Sequence, residues 1–280
     1  NEDLITNYDI IKEAKYLKSL NKDLEDININ QLYEFAKNSL IREKIKQYEI
    51  NKVYQVNYES EAVNPLIDNF MKKLKIENKS DFETYLLDFD TNIEEIRKKL
   101  IIEQTWNKMI FEIYKDRIVI DKKKITQTLD ELIKKKRKQK SFKLYEIVFF
   151  QKNKNDFKKK YNEIKSAIES LGFKKAALMY SISDTAKLNG EIGWVNQNQL
   201  SKNVLNEIES LDIGSYTKPI NTAGGAVILQ LDELKEVDIQ DIDKEKELAK
   251  IITAEKNRQL NEFSLIHFKK TENRSYVEKF

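Results

Sequence analysis

The sequence predicts an α+β protein: a mostly helical N-terminal module completed by a C-terminal helix and strand, with an α+β domain inserted between them. Three observations carry this reading. Residues 30–116 repeat apolar positions at steps of three and four, the mark of amphipathic helices. "FKLYEIVFF", Phe142–Phe150, breaks that pattern with a β-rich run bounded by polar residues. And "SISDTAKLNGEIGWVNQNQL", residues 181–200, holds two of the six glycines and one of the two tryptophans, so the turn chemistry of a helix-rich chain is concentrated there.

Taken in order, Leu32, Phe35, Ala36, Leu40, Ile41, Ile45 and Tyr48 predict a helix over Asn30–Val53. A second begins near Pro65, with Leu66, Ile67, Phe70, Met71 and Leu74 on one side. Ser80 with Glu83, and Thr91 with Glu94, have capping-box spacing, and the helix opened by the second pair runs to about Asp116. Ile118-Val119-Ile120 is a β-branched break, after which Asp121 can cap one more helix ending in "KKKRKQK", Lys134–Lys140. Beyond the first strand the expected order is helix (Asp156–Leu171), helix (Lys174–Tyr180), loop, strand (Glu191–Val195), helix (Gln199–Leu211), strand (Ser215–Asn221) and strand (Ala226–Leu234). A glycine costs roughly 0.5–1 kcal/mol inside a regular element. Gly190 and Gly193 therefore read as a tight turn feeding the strand that carries Trp194. From Val237 onward the chain returns to helix, and "RSYVEKF" is compatible with a final strand. That terminal helix has too little partner surface of its own and is expected to dock back on the N-terminal helices. The expected domains are 1–135, 141–236 and 237–280.

Composition narrows the function classes. Apolar residues at 40% allow a core, while 35% charged residues and two prolines favour long helices. No stretch approaches the ~18 apolar residues of a membrane span. Fifty Lys and Arg stand against 47 Asp and Glu with the signs interleaved, which argues against a nucleic-acid surface. "KKKRKQK" reads as a solvated helix end at a hinge, with anionic lipid or nucleic acid as its alternative ligand. The chain has no cysteine and one histidine, His267, so metal sites of nitrogen and sulfur ligands and cysteine nucleophiles are excluded. No serine lies in a nucleophile elbow, and His267 reads as a strand or loop residue. The 189–193 turn is too short and too acidic to cradle a phosphate. No cofactor is expected. The absence of cysteine is compatible with an oxidising compartment without requiring one, and the start at Asn1 is expected for a mature or trimmed chain from which any signal peptide has been removed.

The order of elements together with the glycine pattern resembles the parvulin family of peptidyl-prolyl isomerases. "LYEIVFF" is similar to the family's first strand, "SDTAKLNGEIGWV" to its Ser/Asp, Ala, Gly-Gly-Asp-Leu-Gly-Trp signature, and "LDIGSYTKPINTAGGAVILQLDE" to its closing strands. "NEDLITNYDI" resembles the opening of SurA-type periplasmic chaperones and "YVEKF" their C-terminal strand. The resemblance implies a helical chaperone module with a parvulin domain inserted into it. It places the family's first histidine at Glu146, its loop Cys or Asp at Ser183 beside Asp184, its apolar groove position at Leu200, its Phe at Val204 and its second histidine at Val227. The first signature glycine falls on Asn189, which tolerates positive φ better than most residues. Both histidines are thus missing, and Leu200 with Val204 would line a smaller peptide-binding floor.

The expectation is an ATP-independent periplasmic chaperone holding unfolded, aromatic-rich polypeptides such as outer-membrane proteins, as a monomer or a segment-swapped dimer, with weak or no isomerase activity. An active foldase is the alternative, and a basic lipid- or nucleic-acid-binding module a distant one.

Overall fold

A computed structural model describes residues 4–134, 139–150, 154–237 and 243–275. By packing, the chain falls into two compact units, Asn1–Ile113 with His267–Phe280, and Tyr114–Ile266.

In the first unit, α1 (Asn7–Leu20) opens on a capping box in which the Thr6 hydroxyl accepts from Asp9 N and the Asp9 carboxylate accepts from Thr6 N. Helices α2 (Ile29–Asn51), α3 (Asn64–Lys73), α4 (Lys79–Leu87) and α5 (Ile93–Tyr114) follow. Two expected caps are shifted along the chain. Asn78 rather than Ser80 caps α4, its Oδ1 accepting from Asp81 N at 2.9 Å. Asn92 rather than Thr91 accepts from Glu95 N at 2.9 Å ahead of α5. In each case the Asn immediately before the first helical residue takes the role, since the short amide side chain reaches the orphan N–H as well as a hydroxyl does.

This unit has an apolar core, with Leu17, Leu32, Ile50, Phe82, Leu86 and Trp106 each nearly or fully inaccessible. Set into it is an ionic network. Lys99 Nζ lies 2.7 Å from Glu13 and 2.5 Å from Glu43, and Ser39 Oγ donates to Glu13 at 2.7 Å. Burial alone pulls the Lys99 ammonium down, but Glu13 and Glu43 outweigh it and hold it above the usual lysine value.

The second unit begins as expected: Ile118–Ile120 is irregular, and Asp121 Oδ1 accepts from Lys124 N at 2.9 Å to start α6 (Lys122–Lys134). Residues 135–138 of the basic run and most of the expected final strand lie outside the described residues. The sheet then forms from β1 (Gln139–Phe149), β2 (Glu191–Asn196), β3 (Ile220–Thr222) and β4 (Gly225–Val237), antiparallel throughout, in the order β2-β1-β4-β3. Side chains alternate across the central strand. Tyr145, Ile147 and Phe149 pack under α7 (Lys154–Leu171) and α8 (Phe173–Tyr180), against Ile164, Ala167, Phe173 and Ala177. Phe142, Leu144 and Val148 face the other way, with Val227, Leu229 and Leu231 of β4.

Two elements depart from expectation. The strand over Ser215–Asn221 shrinks to β3 and a lone bridge from Tyr216 to Gln230. Thr217 N still donates to Leu229 O at 2.8 Å, but its hydroxyl captures Leu229 N at 3.1 Å, and Pro219 has no N–H to continue a ladder. The helix expected over Gln199–Leu211 is α9 (Lys202–Glu209), because Leu200 is extended and Ser201 is the cap.

Last comes α10 (Lys244–Arg274). Within the second unit its Phe263 stacks on Tyr114 with centroids 4.8 Å apart, and Gln259 both accepts from Val119 N and donates to Val119 O, at 3.0 and 2.8 Å. His267 lies in this helix, not in a strand or loop. It packs edge-on against Trp106 in the first unit, 3.5 Å from Glu49, and burial lowers its pKa although Glu49 opposes the shift.

Candidate peptide-binding groove

The groove is organised by the segment after α8. Ser181 Oγ accepts from Val148 N at 3.0 Å and Ile182 N donates to Val148 O at 2.8 Å, so the loop is stitched to the middle of β1. Ser183 then caps a short 3₁₀ turn, Asp184–Leu188, that ends on Asn189 at φ 59°, ψ 22°. This is the left-handed conformation that Asn adopts at lower cost than most residues. The next residue, Gly190, accepts from Glu146 N through its carbonyl at 2.7 Å. At φ +78° its missing Cβ would collide with Glu146 O and lie 2.8 Å from Ala177 Cβ, so both conformation and space demand glycine. Gly193 has open space around it; its φ of +84° serves the bulge where Ile192 has no opposite number on β1.

On this scaffold Ser183 Oγ donates to Glu146 Oε1 at 2.7 Å, and Thr185 Oγ1 donates to the same oxygen at 2.9 Å. Glu146 is half-buried, and burial pushes its carboxyl above the ordinary value. The two hydroxyls pull it back in part, and exposed Asp184 raises it through like charge. Thr185 was not legible as a site residue from the sequence; its position two residues after Ser183 in a tight turn was the available signal.

The apolar part forms around the same sheet face. Val227 pairs with Val148 across β4 and β1, while Glu146 pairs with Leu229, so Glu146 and Val227 are diagonal neighbours on one face. Leu200, Val204, Val195, Leu205 and Ile220 pack against the cluster that contains Val227. The structure therefore brings Glu146 together with Ser183, gathers Leu200, Val204 and Val227 into one apolar cluster, and leaves Asp184 at the rim. Chemically, the arrangement offers one carboxylate with two hydroxyl donors beside an aliphatic floor. It holds no imidazole.

Residues 142–233, which contain all of these positions, match the family model described as the PPIC-type PPIASE domain, a rotamase. This segment is a parvulin-type domain. Curated relatives agree in kind. The chain is 25% identical to the chaperone SurA of Pseudomonas putida over 154 residues, 52% of this chain and 35% of that one. It is 37% identical to SurA of Pseudomonas aeruginosa over 73 residues, 26% of this chain and 17% of the relative. It is 30% identical to the periplasmic chaperone PpiD of Haemophilus influenzae over 90 residues, 32% of this chain and 14% of the relative. The chain thus spans about a third or less of the length of the curated relatives it matches. Among solved structures, a SurA-like chaperone of Campylobacter jejuni superposes with TM-score 0.38 at 17% identity, covering 98% of this chain and 96% of that one. The isomerase PrsA of Bacillus anthracis gives 0.37 at 17% identity, covering 85% and 100%. Among the described residues no helix is long and apolar enough to cross a membrane.

Proposed function

We propose that the chain is an ATP-independent periplasmic chaperone that holds unfolded, aromatic-rich polypeptides such as outer-membrane proteins, and that its parvulin domain has weak or no isomerase activity. The observation that carries the second half is the pairing of Glu146 with Ser183 and Thr185 where an active parvulin has an imidazole, with aliphatic Val227 at the other histidine position. Isomerisation requires a pocket that favours the twisted amide over a barrier of about 18–20 kcal/mol. An aliphatic floor and a carboxylate drawn to its own hydroxyls supply neither the polar tuning nor the shape.

Client binding is assigned to the helical unit. Tyr8, Tyr48, Val53 and Leu87 are exposed large apolar side chains there, of the kind that marks interaction surfaces where they cluster. An open surface depression of about 540 Å³ lined by Lys52, Val53, Tyr54, Val56 and Tyr58 has room for an aromatic side chain. Leu200 and Val204 are the positions of the parvulin domain that an extended chain would meet. The periplasmic assignment draws on the similarity to PpiD and on a chain without cysteine. The domain limits 1–135, 141–236 and 237–280 belong to this proposal, as do a monomeric or segment-swapped state and a separable 141–236 fragment.

The test is light scattering from an unfolded β-barrel protein diluted from urea. The full chain without ATP is expected to suppress aggregation, and a chain lacking 141–236 to keep most of that effect. Loss of all suppression on deletion would move client binding to the parvulin domain.

A further inference from the structure

We infer that the groove face of the parvulin domain is a seat for α10 of its own chain, and that α10 closes this face to extended polypeptides. The inference rests on reading that face as a peptide site. Two observations, both centred on Leu265, place the helix there. Leu265 of α10 packs against the apolar cluster of Val227 and Leu229, alongside Leu200, Val204 and Ile220. The second observation is Gly224, in the turn between β3 and β4. It has no positive φ, so its backbone does not call for glycine. It lies close under α10: a Cβ would sit a tight 3.0 Å from Leu265 Cδ1, which would have to give by a few tenths of an ångström, and in ordinary contact at 3.4 Å with Leu265 Cβ and 3.7 Å with Glu262 Cα. A side chain longer than a methyl group at this position would press on α10.

The chemistry of the floor agrees with such an occupant. Val204 and Val227 stand where the family resemblance expects an aromatic ring and an imidazole, and both now belong to one aliphatic surface that a leucine side chain can fill. The rest of the attachment is mixed: Phe263 stacks on Tyr114, Asn196 Nδ2 donates to buried Glu247 at 3.1 Å, and weaker contacts lie at the surface. Gln259 holds Val119 through two hydrogen bonds at the exposed surface, where water can replace them at little net cost. A client's apolar side chain and Leu265 compete for one place.

Gly224→Leu tests this as a wedge, because it pushes on α10 while leaving every groove side chain intact and imposes no forbidden φ. Leu265→Ala is the second variant, removing the plug without crowding. Both are examined as full chains by hydrogen exchange and by fluorescence anisotropy with a fluorescein-labelled peptide carrying Phe-Pro-Tyr. Protected amides of Ile147–Phe149 serve as the check that the sheet is folded. If α10 covers the face in about nine molecules of ten or more, freeing it tightens apparent peptide affinity by about tenfold. Exchange over 259–266 should rise in parallel, and Leu200→Asp in the Gly224→Leu background should abolish the gain. Unchanged exchange over 259–266 in both variants overturns the seat. Unchanged affinity with α10 released, or a gain that survives Leu200→Asp, overturns the closure. Aggregation suppression by the unmodified chain is read separately, and its absence would instead overturn the chaperone reading.

Discussion

Glu13 and Glu146 are both carboxylates drawn into a packed interior, one in each unit, and their surroundings differ in one respect. Glu13, 3% exposed, meets the Lys99 ammonium at 2.7 Å and the Ser39 hydroxyl at 2.7 Å. Glu146 meets two hydroxyls, while the charge that acts on it most is that of Asp184, of like sign. A buried charge with a cation is a structural fixture, since removing either partner strands the other. A half-buried carboxylate with neutral donors and a like-charged neighbour makes the fold less stable at neutral pH, and such groups collect where a surface was shaped for something other than stability. The Glu13 network thus serves the folded frame of the helical unit, while Glu146 lies on the face that the proposed function reads as a remodelled site.

The largest expected effect breaks the fixture. Lys99→Met leaves Glu13 and Glu43 facing each other in the interior and should destabilise the chain by about 3–5 kcal/mol, read as a lower urea midpoint in Trp106 fluorescence. A loss below 1 kcal/mol would mean that water reaches the network and that the two carboxylates are more alike than proposed. Next is Gly190→Ala, which combines an unfavourable φ with a collision against β1. Its cost should be about 2–4 kcal/mol, visible as lost amide protection at Glu146.

The smallest effect has the opposite sign. Glu146→Gln keeps an oxygen to accept from Ser183 and Thr185 but removes the charge. Because the folded-state pKa of Glu146 lies above the ordinary 4.5, the charged form opposes folding as pH rises through the folded value, and protonation relieves it. The variant should therefore be slightly more stable than the parent at pH 7, with the gain vanishing as pH falls below about 4.5. A variant less stable at pH 7 would show that the carboxylate is as well compensated as Glu13.

Much of this was legible in the sequence for local reasons. Helical spacing located α2, α3 and α5, and the β-rich run located β1, because those signals lie within one element. Gly190 and Gly193 announced their turn, since glycines are costly inside a regular element and mark a backbone that must bend. The caps slipped by one or two residues because Asn78 and Ser80, and Asn92 and Thr91, are chemically equivalent candidates. Ser215–Asn221 misled because its pairing is real but irregular, diverted by the Thr217 hydroxyl. Thr185 joined the site through a turn geometry that residue types alone do not specify. Leu265 could not be found at all: it meets Gly224 from a helix some forty residues along the chain, and a small residue in a turn gives no sign of what approaches it.

The most direct test of whether the groove is remodelled is protease-coupled turnover of a proline tetrapeptide by the unmodified chain. Glu146 and Val227 stand at the positions where the family resemblance expects imidazoles, so weak catalysis or none above the uncatalysed rate is predicted. A rate constant near 10⁴ M⁻¹s⁻¹ or above, about the low end of ordinary enzyme efficiency, would contradict it and make Glu146 part of a working isomerase site.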